Sequence, residues 1–157
     1  WLGGGFTSDG WKVTLPDVAG NRYGVAIRRA LEAADVTADE VTLISPHGVG
    51  ADLLDRFESD SLASVFGNGE RPWPALMPLK GAVGHTLGGC ALLETVAALL
   101  ALERGEIPPA ARCEDVDPAL ALASARTAIS GKDWVLLKCT NGFAGQNGAF
   151  VLRSVSS

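Results

Sequence analysis

The sequence predicts an α/β fold, on three observations. Short apolar or β-branched runs of strand character at 41–45, 75–78, 134–140 and 149–152 alternate with stretches of helical periodicity at 21–34 and 52–66. The run from Cys90 to Leu102 reads as a helix apolar on every side, which belongs in a core covered from two directions. Both histidines, His47 and His85, sit beside glycine just after a predicted strand, and strand ends are where open α/β sheets build their sites.

In chain order, residues 1–17 mix Gly3-Gly4-Gly5 with Thr7-Ser8-Asp9-Gly10 and Leu15-Pro16-Asp17, which reads as a short strand followed by a long exposed loop. Residues 21–34 form an amphipathic helix, with Tyr23, Ile27, Ala30, Leu31 and Ala34 on one face and Arg22, Arg28, Arg29 and Glu32 on the others. Residues 37–40 turn the chain into a buried strand at 41–45, whose carboxyl end carries Pro46-His47-Gly48-Val49-Gly50. Asp52 is read as the cap of the next helix, whose apolar face is Leu53, Leu54, Phe57, Leu62, Val65 and Phe66. Asp55, Arg56, Glu58, Ser59 and Asp60 fill its remaining positions, and Gly67 ends it.

After the turn Gly69-Glu70-Arg71-Pro72, a short strand delivers Lys80 and His85 to the start of the apolar helix. Its one charge, Glu94, is costly to bury unless a cation meets it, and Lys80 and His85 are the nearest candidates. The glycines before the helix aim His85 at the positive end of its dipole, which suits a developing negative charge. Residues 105–129 are poorly patterned and read as loop with short helical or strand pieces. Strands at 134–140 and 149–152 are joined by glycine-rich 141–148, longer than a tight hairpin needs.

The chain has 157 residues, 47% of them hydrophobic and 20% charged, enough for one globular domain with a core. A net charge of -5 with no Lys/Arg cluster argues against a nucleic-acid or anionic-membrane surface. Cys90, Cys113 and Cys139 are odd in number and lack CxxC spacing, which points away from a disulfide framework or zinc site and towards a reducing cytoplasm. The run at 91–102 is too short to span a bilayer. The chain opens at Trp1 without an initiator methionine and runs at once into glycines, as a fragment of a longer protein is expected to.

On pattern alone, each histidine has a plain structural alternative, a partly buried loop imidazole satisfied by backbone. Lys80 and Glu94 have theirs, a structural ion pair that is compatible with a functional role. No third ligand lies at metal-site spacing from either histidine, and no phosphate-cradling loop is present.

Thr7-Ser8-Asp9, His47-Gly48-Val49-Gly50, Lys80-Gly81-Ala82-Val83-Gly84-His85, Glu94 and Gly142-Phe143-Ala144-Gly145-Gln146-Asn147 resemble, in order and spacing, the C-terminal half of β-ketoacyl-acyl carrier protein synthases. The resemblance covers nearly the whole chain. It implies the C-terminal half of a thiolase-like layered fold, a mixed sheet with helices on both faces, spread over residues 1–157. It also implies an acyltransferase, active in fatty-acid or polyketide-type biosynthesis as a homo- or heterodimer. Its nucleophilic cysteine lies in the N-terminal half, outside this chain, and matches none of Cys90, Cys113 and Cys139. The reaction implied is decarboxylative Claisen condensation of acyl and malonyl thioesters. No cofactor is implied beyond the phosphopantetheine of an acyl carrier protein.

Within that resemblance His47 and His85 match the donors to the thioester oxygen, Lys80 the lysine that sets the local field, and Glu94 the carboxylate that orients it. Gly142, Phe143, Ala144 and Gly145 match the substrate gate and oxyanion loop. Two departures stand out. The positions that meet the pantetheine arm are Val49 and Ala51, which carry no hydroxyl, and the loop has Asn141 and Ala144 where an aromatic and a glycine are usual. These departures point to a divergent synthase of secondary metabolism. Retention of both histidines favours a catalytic subunit. Loss of both hydroxyls favours the alternative, a non-catalytic partner resembling a chain-length factor.

Overall fold

The computed structural model describes residues 1–67, 72–115, 117, 120 and 133–155. Among them five strands, β1 (Gly3–Ser8), β2 (Leu43–Ser45), β3 (Ala75–Leu76), β4 (Val135–Gly142) and β5 (Gln146–Arg153), form one sheet in the order β1-β5-β4-β2-β3. β5 is antiparallel to β1 and β4, whereas β2 is parallel to both β4 and β3. The parallel β2–β3 pair needs a crossover, and helix α2 (Asp52–Phe66) supplies it. Residues 116, 118, 119 and 121–129 of the stretch read as loop, and 69–71 of the turn at 69–72, lie outside the described residues.

Side-chain alternation along the strands sorts the core into two layers. Ile44, Val135, Leu137, Cys139 and Val151 face helix α1 (Arg22–Ala34) and α2, packing on Tyr23, Ile27, Phe57, Leu62 and Phe66. Leu43 and Leu136 point the other way, onto Ala98, Ala101 and Leu102 of helix α4 (Cys90–Arg104). Helices therefore cover both faces, as predicted. The glycines at the start of β1 have a packing reason: a Cβ on Gly5 would stand 2.2 Å from the Ala26 carbonyl oxygen, so only glycine lets α1 lie so close to this edge strand.

Three readings of the sequence change. Ala51, not Asp52, is the N-cap of α2, and the side chain that reaches back to the preceding turn is Asp55, accepting from the Gly50 N–H at 3.2 Å. Glu58, assigned by periodicity to a position off the apolar face, is buried. The glycine-rich connection is tight, because β4 runs on to Gly142 and β5 starts at Gln146, leaving only the 3-10 turn Phe143–Gly145 between them. Polar, glycine-rich residues conceal these strand ends from propensity. Their backbones still pair in register, and Asn141 Nδ2 donates across the pair to Asn147 Oδ1 at 2.6 Å.

Among the described residues, helix α4 has cover on one side. Cys90, Glu94, Ala98, Ala101 and Leu102 are buried, while Leu92, Leu93, Val96 and Leu100 form an exposed apolar stripe, Leu92 at 72% exposure. Contiguous apolar surface of this kind promotes association. Residues 1–157 produced alone are therefore expected to self-associate or bind hydrophobic dye. A monomeric species by light scattering with a single cooperative melt would contradict this.

Candidate active site

Two parallel strands bring the candidate residues to one edge of the sheet. Ser45 at the end of β2 is level with Lys138 of β4, so the carboxyl ends of both strands point the same way. His47 follows β2 by two residues, and β4 continues four residues past Lys138 to the glycine hairpin.

The turn at His47 is held from beneath by a residue the sequence reading left off the apolar face. Glu58 of α2 accepts the backbone N–H of His47 at 2.6 Å through Oε1 and that of Gly48 at 2.7 Å through Oε2, and the Tyr23 hydroxyl donates to Oε1 at 2.8 Å. Burial pushes the Glu58 carboxyl up, against the opposite pull of these donors. Gly48 has φ 52, a left-handed turn that glycine adopts without strain.

Lys80 opens the short helix α3 (Lys80–Val83), and its ammonium turns inward to donate to the His47 carbonyl and to Glu94 Oε1 at 2.7 Å. The other carboxylate oxygen, Oε2, accepts from Lys138 Nζ at 2.6 Å, and Cys90 Sγ lies 3.3 Å from Oε1. All three charged groups are buried. Burial acts to raise the Glu94 carboxyl, but Lys138 and then Lys80 outweigh it and hold the group below its usual value. Of the two cations proposed for Glu94 from sequence, Lys80 is one. His85 is not, and Lys138 takes that place.

His85 stands exposed between α3 and α4, and its Nδ1 accepts the Leu87 N–H at 3.1 Å. In the neutral ring that bond assigns the proton to Nε2, leaving Nε2 as a donor. The His47 and His85 rings meet edge to face, with centroids 5.4 Å apart. His47 is buried, and among the described residues nothing hydrogen-bonds its ring nitrogens. Burial first, then the positive charges of Lys80 and Lys138 and the neighbouring His85, bring its pKa down to about 3 against the pull of Glu94. At neutral pH it is an uncharged imidazole with one N–H to give.

The glycine hairpin is fastened to the loop after β1. Ala144 N–H donates to the Val13 carbonyl at 2.6 Å, Asp9 N–H to the Gly145 carbonyl at 2.9 Å, and Asn147 Nδ2 to Asp9 Oδ1 at 2.7 Å. Ala144 takes φ 59, a left-handed conformation unfavourable for an L-residue with a side chain. Phe143 projects into solvent at the tip, 74% exposed. Val49 and Ala51, both partly buried, occupy the turn into α2. Thus His47, His85, Lys80 and Glu94 come together, while Gly142, Phe143, Ala144 and Gly145 lie at the same edge of the sheet without a hydrogen bond to them among the described residues.

Sequence reasoning missed Glu58 and Lys138. The signal for Lys138 was present: a lone charge inside the apolar run Val135-Leu136-Leu137-Lys138-Cys139 poses the same question that Glu94 poses in α4. Cys139, one residue on, points to the opposite layer, where burial pushes its thiol far up, so it is no nucleophile.

Residues 2–114 match the family model described as beta-ketoacyl synthase, C-terminal domain. A curated relative, 3-oxoacyl-[acyl-carrier-protein] synthase 2 of Mycobacterium bovis, is 32% identical over 121 residues, which are 77% of this chain and 28% of that protein. The solved ishigamide ketosynthase/chain length factor superposes with a TM-score of 0.86 at 30% identity, covering 99% of this chain and 38% of that one. A type II polyketide synthase acyl-carrier protein in complex with its ketosynthase bound to the hexaketide has a matching chain with a TM-score of 0.86 at 26% identity, covering 98% of this chain and 38% of that one. The chain thus spans well under half the length of these relatives. With residues 2–114, well over half of its length, matched by the family model, it belongs to the β-ketoacyl synthase C-terminal domain family, on a thiolase-type fold.

Proposed function

We propose that this chain is the C-terminal half of a ketosynthase-type condensing enzyme, an acyltransferase acting on acyl and malonyl thioesters. The observation that carries the reading is the pair of imidazoles 5.4 Å apart above a buried Lys80–Glu94–Lys138 network. The N-terminal half supplies the nucleophilic cysteine and covers the exposed stripe of α4. The cysteine first takes the acyl group from a carrier protein. A malonyl thioester then loses carbon dioxide, and the electrons of the broken C–C bond move onto the thioester oxygen as an enolate. N–H groups of His47 and His85 hydrogen-bond that oxygen where the charge develops. The enolate carbon attacks the acyl-cysteine carbonyl, the cysteine thiolate leaves, and a β-ketoacyl thioester results. Phe143 gates the site, and the loop of Gly142, Phe143, Ala144 and Gly145 serves the oxyanion of the acylation step through backbone N–H groups other than that of Ala144, which already donates to the Val13 carbonyl.

The substrates arrive on the phosphopantetheine of an acyl carrier protein, with no further cofactor, and the working unit is a cytoplasmic dimer. Val49 and Ala51, which offer the pantetheine arm no hydroxyl, favour a second reading: a partner subunit that shapes a heterodimer without doing chemistry.

The discriminating experiment incubates the full-length protein with malonyl- and acyl-loaded carrier protein. Carbon dioxide release and a β-ketoacyl product are expected from the protein itself. Products that form only when a separate active ketosynthase is added would favour the partner reading. No product under either condition would overturn both.

A further inference from the structure

Lys138 lies in the middle of a core strand with no solvent exposure, between Leu137 and Cys139, outside every motif that carries the family resemblance. Alternation along β4 turns it to the same side as Leu136, towards α4. Its three ammonium protons find three acceptors: Glu94 Oε2 at 2.6 Å, the Pro46 carbonyl at 3.1 Å and the Ser45 carbonyl at 3.3 Å. Lys80 donates to the next carbonyl, that of His47. Two ammonium groups therefore hold three consecutive carbonyls, while Glu58 holds the N–H groups of His47 and Gly48. Pro46 has no N–H of its own to anchor this segment, so its carbonyl is the only backbone handle there.

Resting on the reading of His47 and His85 as donors to the thioester, we infer that Lys138 is a positioning residue for His47: its ammonium shares Glu94 with Lys80 and fixes the carbonyls of Ser45 and Pro46, locking the turn that aims the imidazole. Its charge has a second effect. The groups facing His47 are Lys80 from α3, His85 from the segment before α4, Glu94 from α4 and Lys138 from β4, with Glu58 of α2 bound to its backbone. Lys138 adds positive charge on the side that disfavours imidazolium, so its removal makes His47 easier to protonate.

The test uses Lys138→Met and Lys138→Gln in the full-length protein. Both leave Lys80 paired with Glu94, and the glutamine keeps an N–H for the Pro46 carbonyl without the charge. Two measurements are made. The first is the kcat and KM of malonyl decarboxylation, where kcat is expected to fall by on the order of tenfold or more with KM little changed, the loss seen when a partner orienting a reacting group is removed. The second is the NMR pH titration of the His47 imidazole, identified as the resonance missing from His47→Ala. That resonance is expected to stay neutral through the ordinary imidazole range in the wild type and to titrate measurably higher in both variants. The titration is independent of turnover. If decarboxylation is absent from the wild type, the catalytic reading fails while the titration still judges Lys138. An unchanged titration and unchanged kcat in folded variants would overturn the inference. Failure of both variants to fold would also overturn it, making Lys138 a structural residue only.

Discussion

Alanine at His47 or at His85 is expected to slow malonyl decarboxylation by on the order of a hundredfold or more, the usual loss for one oxyanion donor. Acyl loading of the cysteine should suffer less, because its oxyanion is assigned to backbone N–H groups near Phe143. The two residues should also differ in what else they disturb. His47 is buried, with its backbone carbonyl and N–H engaged by Lys80 and Glu58, so its side chain can be removed while the turn stays anchored. His85 is exposed and its ring accepts the Leu87 N–H, so His85→Ala also releases a local backbone contact. Decarboxylation and loading should be measured separately, with the native carrier protein because Val49 and Ala51 make a surrogate thioester a poor substitute. Intact decarboxylation in both variants would return these histidines to a structural role.

The layered architecture was legible in the sequence because its signals are local. Apolar, β-branched runs and helical periodicity located β2, β4, α1 and α2 to within a few residues, and the apolar run of α4, broken only by Glu94, announced a helix with two faces to cover. The uncovered stripe at Leu92, Leu93, Val96 and Leu100 is what that run means in three dimensions. The paired carboxylate Glu94 was readable for the same reason, since a charge in an apolar run must find a partner. Which partner it finds is a long-range matter. Lys138 lies 44 positions away and reaches Glu94 only because α4 packs on the face of β4 to which Lys138 points. Glu58 was misread for a different reason: a helical wheel separates polar from apolar positions, and a carboxylate turned inward to meet the backbone N–H groups of a neighbouring turn violates that rule locally. The hairpin was misread because strand propensity counts side chains. Residues 141–148 pair through their backbones with few side chains to announce it.

The largest effect on stability should come from Glu94. Its two oxygens are shared between Lys80 and Lys138 in a site closed to water, so Glu94→Gln leaves two ammonium groups with no counter-ion between them. One amide NH2 would also face a donor. Removing one partner of a buried pair typically costs about 3–5 kcal/mol, because the remaining charge stays desolvated and uncompensated. The pH dependence should identify the cause. In the wild type the depressed Glu94 carboxyl contributes stability that is fully present above its unfolded value of about 4.3, and that contribution is lost as pH falls through the lower folded value. His47 adds to the acid loss, since the unfolded imidazole binds a proton below about 6.5 that the folded one refuses until about 3. In Glu94→Gln the carboxylate part of this acid limb disappears and a new alkaline limb should arise. A buried lysine without its counter-ion has a depressed pKa, so the unfolded chain binds more protons than the folded one up to about pH 10.4, and stability rises with pH across that window. Replacing all three groups with apolar residues, Lys80→Met, Glu94→Leu and Lys138→Met together, should recover much of the lost stability, since a buried ion cluster is often no better than well-packed hydrophobes. It should not recover decarboxylation, because the turn carrying His47 would lose both of its cationic anchors. Thermal and denaturant unfolding of the full-length protein across pH measures all of this. A Glu94→Gln variant with wild-type stability and no alkaline rise would mean that the carboxylate is not the counter-ion holding this site together.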